Sequence, residues 1–271
     1  EDLPEYKFFS TQLMEKTINI RKFTINNENG IKFIIGKPGV GKSHLVNEIE
    51  DTNSLLYRFW ISDQDENRLE RLQYKNFIQE LSIKLFNNFV KYSEEDIIQK
   101  ISDDKKLIII DGLDHVENYN PSQIDNFFDF FTKLEQNGNI KVLILSRPLK
   151  KEIQWDCQIL ENWTKDETYE YINYKYNIKD YDIIEKIFDI TDGYPIITDF
   201  IIQHYMYSNE ILETNKINDI NEYYDKIIKN EEIKNELSVF LVTNSYITYY
   251  EIDKIFGYTC SKLIKSFIKK H

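Results

Sequence analysis

Gly36-Lys37-Pro38-Gly39-Val40-Gly41-Lys42-Ser43 follows a short apolar segment, Ile31 to Ile35, and runs into a segment of helical character from Lys42 to about Glu50. The string fits GxxxxGK[ST], a pattern whose chemistry is phosphate binding. Its glycines let the backbone turn so that N–H groups face phosphate oxygens, and the following helix adds the positive end of its dipole. Lys42 is expected to reach the β- and γ-phosphates, and the Ser43 hydroxyl to ligate Mg²⁺. The loop and the next residue, His44, form the expected nucleotide-binding segment.

Two further strand ends carry polar side chains. Leu107-Ile108-Ile109-Ile110 leads into Asp111-Gly112-Leu113-Asp114-His115. A carboxylate ending a strand beside the phosphate-loop strand is placed to hold Mg²⁺ through water, and that role falls to Asp111. Asp114, reached through a loop, is expected either to face the γ-phosphate and orient or deprotonate a water, or to cap a turn. His115 either polarises the site or packs as a structural histidine. Lys141 to Leu145 then leads into Ser146-Arg147-Pro148, with Arg147 at the carboxyl edge, where α/β sheets bind ligands. Its guanidinium would read the γ-phosphate or steady a neighbouring element, unless it is a surface arginine before a proline that stops the strand. Gly193-Tyr194-Pro195 reads as a helix stop and restart.

Strands alternating with helices must position these residues. Ile31–Ile35, Ser54–Ile61, Leu107–Ile110, Ile140–Leu145 and Cys157–Leu160 read as strands. Helical spacing covers Asn67 to about Tyr92, a short segment from Ser93, and a segment that Pro121 opens and Gln136 closes. The implied fold is α/β, a parallel sheet flanked by helices with right-handed crossovers. After residue 162 only helices are expected: Lys165–Tyr176, Tyr181–Ile190, Pro195–Tyr207 and Ile217–Lys229. The expected organisation is an N-terminal helix and linker at 1–30, a phosphate-loop core at 31–162, a helical lid at 163–230 and a partial winged-helix-like unit at 231–271.

Composition narrows the function classes. The 271 residues contain no alanine, 8 glycines, 5 prolines and 5 arginines, so each of the last three marks a place where backbone or chemistry needs it. Five glycines, at 36, 39, 41, 112 and 193, and three prolines, at 38, 148 and 195, lie in the motifs above. Hydrophobic residues at 41% supply a core, which argues against disorder. No apolar run approaches the roughly 18–20 residues of a membrane span, and the acidic start lacks a signal peptide's character, so a cytoplasmic protein is expected. Cys157 and Cys260 suggest neither a disulfide framework nor a metal site. The net charge of −12 opposes a general nucleic-acid surface. The chain begins with Glu1 rather than Met and is expected to be part of something longer.

In this order, a phosphate loop, DGLDH after an apolar strand, SRP after the next, and GxP in a helical segment, the chain resembles the STAND NTPases, signal-transduction ATPases with numerous domains. It looks closest to their NACHT-like and bacterial antiviral branch. The resemblance implies a P-loop sheet of the ASCE or AAA+ kind, ATP or ADP with Mg²⁺, Arg147 as a sensor arginine, and Pro195 touching the base or ribose. It also implies a slow ATPase switch in which nucleotide exchange drives homo-oligomerisation, triggered by a viral or other protein through a sensor outside this chain. His115 stands where NACHT proteins usually carry a second acid, which weakens the expectation of efficient hydrolysis. Competing readings are a DNA-associated AAA+ initiator or helicase loader and a STAND transcription regulator. A small-molecule kinase is disfavoured because Arg21, Arg68 and Arg71 fall outside the motifs, leaving too few arginines around a transferred phosphoryl group.

Overall fold

Strands whose apolar residues face both ways must be buried on both faces; four such segments, with a fifth, exposed strand at the edge, form one parallel sheet. In a computed structural model, which describes residues 20–21, 29–49, 54–60, 67–211, 215–229 and 254–255, these are β1 (Gly30–Ile35), β2 (Ser54–Arg58), β3 (Leu107–Asp111), β4 (Lys141–Ser146) and β5 (Asp156–Ile159). Their order is β2-β3-β4-β1-β5. The P-loop strand β1 and the Asp111 strand β3 are therefore not neighbours, contrary to the sequence expectation: β4 lies between them, paired in register with both. All four ladders are parallel, so every strand ends at the same edge of the sheet.

The period-two alternation sorts side chains to two faces. Phe33, Ile108, Ile110, Val142 and Ile144 join an aromatic layer containing Phe59, Phe77, Phe127, Phe130 and Phe131. Ile34, Ile109, Leu143 and Leu145 face the other way and pack with Val40, Leu45, Val46 and Leu160. The connecting helices are α1 (Lys42–Ile49), α2 (Arg68–Arg71), α3 (Tyr74–Phe86), α4 (Glu94–Asp104), α5 (Leu113–Tyr119) and α6 (Ile124–Gln136). The helix expected from Asn67 to about Tyr92 is broken in two, because Gln73 has extended backbone between α2 and α3. Pro121 opens a short 3₁₀ turn rather than the helix itself, and α6 starts at Ile124. Asp114 is not in a loop: it lies in the first turn of α5, which the sequence reading missed.

The chain divides into two compact units, Glu1–Glu161 and Asn162–His271. In the second, α7 (Lys165–Tyr176), α8 (Tyr181–Thr191), α9 (Pro195–Ser208) and α10 (Ile220–Lys229) close around Ile172, Ile184, Ile187, Tyr194, Ile197, Ile201 and Tyr223. Hydroxyl and carboxylate caps start α4, α7 and α8 at Ser93, Thr164 and Asp180. Asn87, Asn177 and Asn209 take the left-handed conformation that ends α3, α7 and α9, a position other chains usually give to glycine. The N-terminal helix expected at 5–23 lies outside the described residues apart from Ile20 and Arg21, and the unit expected at 231–271 apart from Lys254 and Ile255. No helix among the described residues is long and apolar enough to cross a membrane.

Candidate nucleotide site

The phosphate loop connects the carboxyl end of β1 to α1. Lys42 begins α1 and folds its ammonium over the loop, donating to the carbonyls of Gly36 at 2.6 Å and Lys37 at 3.0 Å. Burial lowers its pKa to about 8, with Arg147 acting in the same direction and Asp114 and Asp111 opposing it. Val40 is buried beneath the loop, whereas Lys37, Pro38 and Gly39 are exposed. His44 is exposed in the first turn of α1.

Asp111 ends β3, 6% exposed. Burial raises its pKa; Arg58, a hydrogen bond from Ser43 and the Lys42 charge pull it down, while Asp114 adds to the rise. The hydroxyl and carboxylate expected at a magnesium ion are thus close enough to influence each other. Hard oxygen donors of this kind suit Mg²⁺, which takes one or two protein ligands and completes its shell with phosphate and water. No cluster of three or more His, Cys, Asp or Glu able to hold a metal exists among the described residues.

Gly112 turns the chain from β3 into α5 with φ +87, a region that L side chains rarely enter. An added Cβ would also come within 3.1 Å of the His115 ring. The turn puts Asp114, 2% exposed, against the end of β4. There Oδ1 accepts from the Arg147 N–H at 3.0 Å and the Ser146 hydroxyl at 3.4 Å, and the Arg147 guanidinium lies 3.5 Å from Oδ2. Asp114 therefore fastens α5 to the strand end that carries Arg147. His115 stacks on Trp60 at 4.8 Å, nearly parallel, with Tyr119 alongside, and its Nε2 lies 3.9 Å from Asp114 Oδ2.

Two arginines that the sequence reading left out join this edge. Arg58 ends β2 in register with Asp111, its Nε 3.4 Å from Oδ2. Arg21 donates from Nη2 to the Val40 carbonyl of the loop at 3.1 Å. The inference that too few arginines surround the site is therefore corrected: Arg21, Arg58 and Arg147 all lie at it. The sequence offered no such signal for Arg58, because the expected strand Ser54–Ile61 ran past it; the structure ends β2 at Arg58 and so brings it to this edge.

Pro195 belongs to the second unit, at the start of α9. Gly193, two residues earlier, has φ +66, and a Cβ there would fall 1.9 Å from the Trp163 carbonyl oxygen. The Trp163 N–H in turn donates to the Gly193 carbonyl at 2.9 Å. The glycine lets these two backbones meet and fixes the turn that opens α9.

A parallel sheet with a GKS loop after β1, a carboxylate ending β3 and an arginine after β4 is the fold of the P-loop NTPases. No protein-family model and no curated protein match the sequence. Among solved structures, the chain is similar to a STAND protein with a tetratricopeptide repeat sensor from Pyrococcus horikoshii, at 19% identity and a TM-score of 0.47 over 90% of this chain. It spans 37% of that protein. It is also similar to Cdc6p from Pyrobaculum aerophilum, at 13% identity and a TM-score of 0.45 over 89% of this chain and 79% of the other. A third likeness is to the Orc1 protein of Aeropyrum pernix in complex with DNA, at 10% identity and a TM-score of 0.40 over 90% and 78%.

Proposed function

We propose that the chain is the nucleotide-binding switch of a STAND-type protein, which binds ATP or ADP with Mg²⁺ and hydrolyses ATP slowly. The observation that carries this reading is the Lys42 ammonium folded over the loop carbonyls of Gly36 and Lys37, at the same sheet edge as Asp111 and as Asp114 bound to Arg147. The loop N–H groups and Lys42 would hold the phosphates, and Ser43 and Asp111 would hold the metal. Bound there, Mg²⁺ would neutralise phosphate charge. Asp114 would orient water, and Arg147 would report the γ-phosphate by exchanging its contact with Asp114 for one with phosphate oxygen. Pro195 at the head of α9 would touch the base or ribose.

The three arginines do not favour a kinase. Each makes a protein contact, to the Val40 carbonyl, Asp111 or Asp114. A contact such as Asp114 with Arg147 that a phosphate could replace suits a switch, since a ligand shifts an equilibrium only through contacts it makes in one state. Oligomerisation on activation, a protein trigger acting through a sensor beyond this chain, and a role in antiviral defence follow from the sequence resemblance and are proposed on that ground.

Nucleotide titration with single-turnover hydrolysis tests the reading. The expected result is ADP and ATP binding lost in Lys42→Ala and turnover slower than the usual ~1–10³ s⁻¹ of enzymes. Rapid hydrolysis stimulated by DNA would overturn it in favour of the initiator-like alternative, and unchanged binding in Lys42→Ala would remove the phosphate-loop assignment.

A further inference from the structure

Arg58 is a buried cation to which neither the phosphate-loop pattern nor the reading above gives a task. It is 5% exposed and sits at the carboxyl end of β2. The parallel register sets it opposite Asp111, and the next residue, Phe59, ties the strands with an N–H donated to the Asp111 carbonyl at 3.0 Å. Its Nε is 3.4 Å from Asp111 Oδ2, and the same carboxylate accepts from Ser43. Guanidinium and carboxylate thus link the ends of β2 and β3 at the edge where the phosphate loop leaves β1.

We propose that Arg58 is a positioning residue that makes nucleotide binding partly independent of Mg²⁺. A fixed guanidinium behind the metal-side carboxylate does two things. It holds the carboxylate in place when no metal is there to hold it, and it supplies a positive charge that favours the polyanionic phosphates while repelling a second cation. The low-dielectric setting makes both effects larger than they would be at a surface. This inference rests on the reading of Ser43 and Asp111 as the metal edge of a nucleotide site.

The test compares ADP dissociation constants in excess Mg²⁺ and in EDTA, using the full chain and a fluorescent ADP analogue. In Arg58→Gln the EDTA affinity is expected to fall and the magnesium affinity to rise or hold, so the ratio of the two constants grows by about tenfold. A ratio unchanged from the parent, with both affinities lowered together, would mean that Arg58 only supports the fold and would overturn the proposal. Should Arg58→Gln fail to fold, Asp111→Asn and the double variant Arg58→Gln, Asp111→Asn carry the test, the latter removing both buried charges at once. Asp111→Asn is expected to bind ADP in EDTA more tightly than the parent, and the double variant to lose that gain; equal affinities of the two would overturn the proposal. A parent protein that binds no ADP under either condition would instead overturn the nucleotide-site reading itself.

Discussion

Asp111 in the sheet unit and Asp199 in the helical unit are the same side chain put to opposite uses. Both are largely withdrawn from water, and in both burial pushes the pKa up. At Asp199 the hydrogen bonds win: Lys175, Tyr171 and Tyr176 donate to one oxygen and Gln203 to the other, holding the carboxyl below its ordinary value. At Asp111 burial wins, although Arg58 and Ser43 oppose it, and the pKa stays raised. A carboxylate saturated by its own unit fastens helices. One whose pKa burial keeps raised, at a strand end beside a phosphate loop, has the pattern expected of a binding site.

Substitutions can break that contrast. Asp114→Asn keeps the acceptor for the Arg147 N–H but removes the charge, and single-turnover hydrolysis is expected to fall by about 10²–10³-fold with folding retained. Lys42→Ala is expected to weaken ADP binding by about 10²-fold, read by titration calorimetry, while its melting temperature without nucleotide stays within a few degrees of the parent. Asp199→Ala should do the reverse, costing the helical unit about 2–3 kcal/mol in urea unfolding because two tyrosine hydroxyls and Lys175 lose their acceptor. If that variant stays folded at full stability, or changes phosphate affinity as Lys42→Ala does, the contrast between the two acids fails.

The smallest effect is in pH. With its pKa lowered to about 8, Lys42 is increasingly neutral above pH 8 and must regain a proton to meet phosphate. ADP affinity is therefore expected to drop by up to about tenfold per pH unit above 8 and to be flat between pH 6 and 7.5. Asp199 responds at the acid end. Its folded pKa lies below the unfolded value, so its stabilisation is present above the unfolded pKa and is lost as pH falls through the folded one. Asp199→Asn should flatten that acid-limb loss in a series of melting curves.

Much of this was legible one segment at a time. The phosphate loop announced itself because a tight anion-binding turn needs glycines at fixed spacing before a helix. In a glycine-poor chain, where left-handed asparagines end three of the described helices, those glycines were conspicuous. The short, nearly continuous apolar runs of β1, β3 and β4 read as strands, since a parallel strand covered on both faces needs apolar residues on both. The helical spacing of α7 through α9 gave the second unit. The break at Gln73 and the short helix α5 were less legible: the first interrupts a continuous apolar stripe, and the second follows a glycine in a left-handed turn that only the packed backbone reveals.

By itself, then, the sequence determined which residues stand at strand ends and what chemistry their types allow. Tertiary structure alone decided which of them meet. Strand order is set by packing and crossovers rather than by local spacing, and the order β2-β3-β4-β1-β5 inserts β4 between the loop and Asp111. It sets Arg58 against Asp111 and Ser146-Arg147 against Asp114, contacts spanning 53 and 32–33 residues of chain that no local pattern encodes.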